Sequence, residues 1–150
     1  MVCRPQEQGG FFPSSEDERF SVLRSAISAN PSWIDLEIDI PAQEREELVS
    51  LAEGGQTQVI ASFHSLDGVP STSEITKDIS EAQEMGDIVK ACYSTSDRKD
   101  ALRIFEAALE LKSTGHKYCL MGLGPGGDWA RIHAPVLGQG LVYATTESGW

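Results

Sequence analysis

The sequence predicts an α/β protein built around a parallel sheet, and three observations lead there. Short apolar runs alternate with amphipathic helical patterns about six times along the chain. Each run is bounded by Gly, Pro, Ser or Asp and is too short for a helix, as expected of buried parallel strands. Arg4, His64 and Lys90 stand at or near the C-terminal ends of such runs, and Arg131 follows the loop after another. That is the rim where open parallel sheets and barrels collect their chemistry. Alternation of this kind implies right-handed crossovers. The length of 150 residues suits a single domain spanning 1–150.

Met1–Arg4 is a short apolar run ending in arginine, followed by a loop with a Gly9-Gly10 hinge. Ser14, Ser15 and the acids Glu16, Asp17 and Glu18 form a helix start, with a serine cap and negative charge at the positive end of the dipole. Phe20, Leu23 and Ile27 continue that helix until Asn30-Pro31 stops it. Trp33 to Ile40 alternates strictly: Trp33, Asp35, Glu37 and Asp39 share one face, and Ile34, Leu36, Ile38 and Ile40 share the other. Acids on one side of such a strand suit a solvent-facing sheet or the polar lumen of a barrel. An amphipathic helix from Pro41 to Ala52 follows, closed by Gly54-Gly55.

Gln58 to His64 is the next strand, with the histidine at its C-terminal end. After a Gly/Pro/Ser loop, Ser73 and Glu74 open a helix that runs through Met85. Gly86 to Cys92 is an apolar strand with one lysine, Lys90, in its middle. Arg98 to Lys112 is a helix whose buried side is read as Leu102, Phe105, Ala108, Leu109 and Leu111, with Gly115 as its stop. Tyr118 to Met121 is a strand, and the Gly/Pro-rich loop Gly122–Gly127 leads into a short helical segment from Trp129, interrupted by Pro135. Gly140 to Thr145 is read as a final strand.

The net charge of −11, from 23 acidic and 12 basic residues, argues against a nucleic acid or an anionic membrane as partner. No apolar run approaches the ~18 residues that cross a bilayer, and the N-terminus lacks the pattern of a signal peptide. Cys3, Cys92 and Cys119 are odd in number and lack metal-ligand spacing, which suits buried free thiols in a reducing, cytoplasmic setting. No metal site is expected.

Lysine is rare inside a strand unless it has a task. Desolvation disfavours an ammonium and favours the free amine, which attacks carbonyls. The alternative is a lysine that reaches from the strand end to solvent. An amine, a histidine one strand earlier and two arginines at the mouth describe a Schiff-base lyase for a small anionic keto compound. The lysine would form an iminium, the histidine would move the neighbouring proton, and an arginine would grip a carboxylate. Each also has a structural reading: a capping or core histidine, and arginines in surface ion pairs.

Several segments occur in a telling order: Arg4 before Gly9-Gly10, Ile34-Asp35-Leu36-Glu37, Ser62-Phe63-His64 with Pro70-Ser71, Gly86 to Lys90, Met121-Gly122, Ala130-Arg131-Ile132 and Gly138. Together they resemble the type I 3-dehydroquinate dehydratases, the Schiff-base dehydroquinases of the shikimate pathway of aromatic amino-acid biosynthesis. The resemblance runs over essentially the whole chain. It implies an aldolase-type (β/α)8 TIM barrel, no cofactor, a homodimer in many members, and loss of water from 3-dehydroquinate to give 3-dehydroshikimate, a carbon–oxygen lyase reaction. Position by position, it makes Lys90 the Schiff-base lysine, His64 the general acid/base, and Arg131 and Arg4 substrate-binding residues. Gln8 and Glu37 become supporting residues.

The chain departs from the family pattern at Gln8, where a glutamate that helps orient the histidine is usual; Glu7 lies beside it. By the family's layout Arg4 ends the third strand, so the sequence is expected to hold about six of the eight βα units. A barrel lacking its first two strands and C-terminal end would carry open flanks that favour association and is expected to fall short of full activity alone. Two further readings stand beside the lyase. One is another Schiff-base aldolase with phosphate on the Gly122–Gly127 loop; the other is an inactive fragment that needs the missing strands.

Overall fold

A computed structural model describes residues 1–13 and 15–143. Four strands, β1 (Trp33–Glu37), β2 (Gln58–Ser65), β3 (Ile88–Ser94) and β4 (Tyr118–Leu123), form one sheet in the order β1-β2-β3-β4 with every neighbouring pair parallel. Helix α1 (Glu16–Ser28) precedes β1, helices α2 (Ala42–Gly55), α3 (Thr72–Glu81) and α4 (Arg98–Leu111) supply the three crossovers, and two single-turn helices, α5 (Trp129–Ile132) and α6 (Ala134–Leu137), follow β4.

The register explains why both sheet faces are buried. Leu36 pairs with Ala61, Ala61 with Val89, and Ala91 with Leu120, so this apolar row faces the helices. Ile75, Ile79, Ile104, Ala108 and Leu111 pack on it from α3 and α4, and Leu23, Ile27 and Leu48 from α1 and α2. The opposite row joins Glu37 to Ser62, Ser62 to Lys90 and Lys90 to Cys119, with His64 beside Cys92 and Cys92 beside Met121. Asp35 and Glu37 are 1% and 0% exposed. Of the two settings that the alternation allowed, Asp35 and Glu37 occupy the buried inner face, while Asp39, beyond the strand end, is exposed.

Local signals set the element ends. Ser15 caps α1 by accepting from the Glu18 amide, and Ser71 and Glu74 cap α3 reciprocally, which starts that helix at Thr72 rather than at Ser73. α2 continues through Gly54 and Gly55, and the left-handed residue that ends it is Gln56 (φ 68°). Gly55 lies against the Asn30 side chain: a Cβ there would come within 2.3 Å of its oxygen, so a larger residue would require Asn30 to turn aside.

Further expectations are corrected. β1 stops at Glu37, because the chain turns through Ile38–Ile40, with the Ile40 amide on the Glu37 carbonyl. On α4 the buried stripe is Ala101, Ile104, Ala107, Ala108 and Leu111, while Leu102 and Leu109 are half exposed; small alanines let the helix lie close to the sheet. Residues 140–143 are not a strand, and the rest of that expected strand falls outside the described residues. Four strands rather than six are therefore present among the described residues. Met1–Arg4 is not a strand either, yet Met1 donates to the Trp33 carbonyl and accepts from the Asp35 amide, holding that segment along β1. Among the described residues no helix is long and apolar enough to cross a membrane.

Candidate active site

The inner row and the loops at the C-terminal ends of the strands enclose a cavity of about 570 Å³ lined in part by Arg4, Gln8, His64, Lys90, Cys92 and Arg131. Five of the six site residues named from sequence thus meet in one hollow. Lys90, third residue of β3, is 1% exposed, so of the two readings of this lysine the buried one holds. Its Nζ lies 3.2 Å from His64 Nε2 and 3.2 Å from Asp35 Oδ2. β2 and β3 fix that geometry, since His64 pairs in register with Cys92, two residues beyond Lys90 on the same face.

Asp35 gathers more donors than any other group in the site. Oδ2 accepts from Lys90, from the Tyr143 hydroxyl at 2.9 Å and from Arg4 at 3.5 Å, and Oδ1 accepts from the Ser62 hydroxyl. Burial alone would raise its pKa. The Lys90 charge, the Ser62 bond, the Arg4 charge and the Tyr143 bond outweigh that and hold it below the ordinary carboxylate value. Lys90 Nζ also lies over the Tyr143 ring, 4.6 Å from its centroid.

His64 moves the other way. Burial first, and then the Lys90 and Arg4 charges, lower its pKa to about 3. The imidazole is neutral at ordinary pH and has a lone pair with which to take a proton. Its Nδ1 lies 3.0 Å from Gln8 Oε1, and Gln8 Nε2 donates to both Asp39 oxygens. Gln8 reaches His64 because residues 5–10 fold back on Arg4: Gly10 donates to the Pro5 carbonyl, and a Cβ at Gly10 would lie 2.0 Å from the Arg4 carbonyl oxygen.

Arg131 donates to the Gly122 carbonyl at 3.2 Å, which sets its guanidinium beside the cavity. Glu37 is the site residue that lies apart. Its carboxylate is drawn away by the buried Arg19 of α1, whose Nη1 is 2.8 Å from Oε2 and 3.1 Å from the Cys3 carbonyl, and Glu37 does not line the cavity. Cys92 and Cys119 on the inner face are free thiols whose pKa burial raises, that of Cys119 to about 12.

Sequence reasoning gave no site role to Asp35, Ser62, Asp39 or Tyr143. For Asp35 a signal existed, an acid at an alternating strand position two residues from another. For Tyr143 there was none, because its bond to Asp35 spans 108 residues. The Gly122–Gly127 loop uses its amides internally, Gly122 N on Gly127 O and Gly127 N on Gly124 O, which leaves these two amides unavailable to a phosphate.

The family model for type I 3-dehydroquinase matches residues 1–149. The 3-dehydroquinate dehydratase of Methanosarcina acetivorans is 29% identical over 151 residues, covering 99% of this chain and 62% of that protein. The protein of the same name from Methanocaldococcus jannaschii is 26% identical over 147 residues, covering 97% and 64%. This chain therefore spans less than two thirds of these relatives' length. In fold, it resembles the type I 3-dehydroquinate dehydratase from Clostridium difficile, solved with covalently modified comenic acid, with a TM-score of 0.89 at 23% identity over 99% of this chain and 60% of that one. The 3-dehydroquinate dehydratase from Geobacillus kaustophilus gives 0.87 at 20%, over 99% and 59%.

Proposed function

The chain belongs to the type I 3-dehydroquinase family, and we propose that it is a Schiff-base lyase that converts 3-dehydroquinate to 3-dehydroshikimate and water. The observation that carries this reading is a buried amine 3.2 Å from a neutral imidazole at the floor of a cavity flanked by two arginines.

The chemistry follows from those atoms. The Lys90 ammonium gives a proton to His64 Nε2, 3.2 Å away, and the freed amine adds to the substrate ketone. The carbinolamine hydroxyl takes that proton back from His64 and leaves as water, giving an iminium. Asp35 Oδ2, 3.2 Å from Nζ, sets a negative charge beside that cation. His64 Nε2 takes the proton from the carbon next to the iminium carbon, and the electron pair moves into an enamine. The enamine then expels the hydroxyl on the following carbon, which receives the proton from His64 and leaves as water. Hydrolysis of the iminium releases product and restores the amine, so the net change is loss of one water. Arg131 and Arg4 line the mouth of the cavity and suit the substrate carboxylate. Residues 1–150 are read as part of one TIM-barrel domain that carries this site.

Product formation is directly readable, because the new double bond is conjugated with the carbonyl and absorbs in the ultraviolet. Folded protein given 3-dehydroquinate is expected to generate that absorbance. Lys90→Met should abolish it, and His64→Asn should slow it by about 10²–10⁴-fold, the usual contribution of a positioned acid/base. No product from the folded protein, or turnover by Lys90→Met, would overturn the assignment.

A further inference from the structure

The bond between Gln8 and Asp39 has a consequence for His64 that neither residue shows alone. Gln8 Nε2 lies 2.8 Å and 2.7 Å from the two oxygens of Asp39. A carboxylate only accepts hydrogen bonds, so the end of the Gln8 side chain that faces it is the amide nitrogen. Oε1 is thereby turned to His64 Nδ1, at 3.0 Å. An amide oxygen also only accepts, so Nδ1 must supply the hydrogen and Nε2 carries the lone pair.

We infer that Asp39 is a positioning residue that acts through Gln8 to hold His64 in the Nδ1–H form, with the bare Nε2 presented to Lys90. The inference deepens the lyase reading and rests on it for its catalytic meaning. Without Asp39, neither end of the Gln8 amide is held toward Nδ1, and the Lys90 nitrogen beside Nε2 is left to favour the Nδ1–H form. When the Gln8 nitrogen faces Nδ1 it selects the opposite tautomer, which points an N–H at the Lys90 nitrogen, 3.2 Å away. In that state His64 cannot take a proton from substrate through Nε2.

The placement of the groups suits a lock. Gln8 is 8% exposed, so water competes little for its amide, whereas Asp39 stands at the exposed rim. Solvent therefore screens the Asp39 charge, and its effect on His64 is carried by orientation more than by field. The charged groups that face His64 otherwise are Lys90 on β3, Asp35 on β1 and Arg4; none of them touches Nδ1.

Nitrogen NMR of ¹⁵N-histidine-labelled protein reads the tautomer directly, with His64 assigned by the signals lost in His64→Asn. The protein is expected to show a protonated Nδ1 and a bare Nε2. Asp39→Asn offers Gln8 a donor as well as an acceptor, and Asp39→Ala offers neither. In both, the Nε2–H population should rise about fivefold relative to Nδ1–H, the ratio to which one hydrogen bond's preference corresponds.

Pairing the exchange Gln8→Glu with Asp39→Asn puts a carboxylate directly on Nδ1, and should restore the Nδ1–H form that Asp39→Asn alone loses. In turnover, the single variants should lower kcat with KM unchanged. An Nε2–H imidazole in the unaltered protein, or a tautomer ratio in both single variants unchanged from that of the unaltered protein, overturns the role of Asp39. Borohydride trapping of a substrate adduct on Lys90 in the same samples separates the two claims. Tautomer failure with the adduct present removes Asp39 alone, and absence of the adduct removes the lyase reading.

Discussion

Replacing Asp35 with alanine removes the acceptor on which two cations and two hydroxyls converge. Its side chain is 0% exposed, and its oxygens accept from Lys90, Arg4, Tyr143 and Ser62. Truncating one partner of a buried pair leaves the other charge uncompensated, at a cost of about 3–5 kcal/mol. Against a total stability of about 5–15 kcal/mol that is a large share. For a chain of this size it lowers the melting temperature by about 10 °C. Asp35→Asn separates shape from charge. Its amide oxygen can stay on the Lys90 side, while the amide nitrogen takes the place of Oδ1, where the Ser62 hydroxyl can turn to accept. The Lys90 and Arg4 charges lose their counter-charge in both variants, but asparagine keeps the acceptor oxygen and should therefore cost about 1–2 kcal/mol less than alanine. Urea unfolding of the three proteins at pH 7.5 measures both differences, and because the pair is buried they should persist in high salt. An alanine variant within about 0.5 kcal/mol of the parent, or an asparagine variant as costly as alanine, would mean that Asp35 does not anchor these donors.

Stability should also fall with acid in a way that identifies His64. Its pKa is lowered to about 3 in the folded protein, so below 6.5 the unfolded chain binds a proton that the folded one refuses. Stability is therefore greatest above pH 6.5 and falls toward pH 3, by about 2 kcal/mol at pH 5; His64→Asn should flatten that slope, and equal slopes would contradict it. Asp35, held below the ordinary carboxylate value, acts in the same direction at lower pH. On α4, Ile104→Ala should cost about 2–5 kcal/mol and Leu102→Ala less than about 0.5 kcal/mol, since Ile104 is 1% exposed and Leu102 55%; thermal unfolding compares them. Gly10→Ala drives a methyl into the Arg4 carbonyl. It should displace the 5–10 turn and, with Gln8 moved off His64, lower turnover more than stability.

Much of this fold is written locally. Ser71 with Glu74, and Ser15 with the acids after it, set helix starts that need no tertiary information. Lys90 and His64 stood out because both fall near the C-terminal ends of neighbouring strands, and the structure places both in one cavity. The phase of α4 was not legible, because leucine and alanine both satisfy a helical stripe, and only the close approach to Tyr118 and Leu120 selects the alanines. The end of β1 was missed because Ile38, Asp39 and Ile40 continue the alternation while the backbone turns. Glu37 pointed toward the site by its strand position, but Arg19, 18 residues earlier, claims its carboxylate. The convergence of four donors on Asp35 comes from segments as far apart as residues 4 and 143, a distance no local pattern spans.

The most direct measurement is peptide mapping of the folded protein after reduction with borohydride in the presence of 3-dehydroquinate. The chain has five lysines, and Lys90 is the one whose side chain is only 2% exposed and lies against both an imidazole and a carboxylate. A reduced substrate adduct on Lys90 alone is the expected result. Modification confined to Lys77, Lys99, Lys112 or Lys117, or no adduct at all, would contradict it.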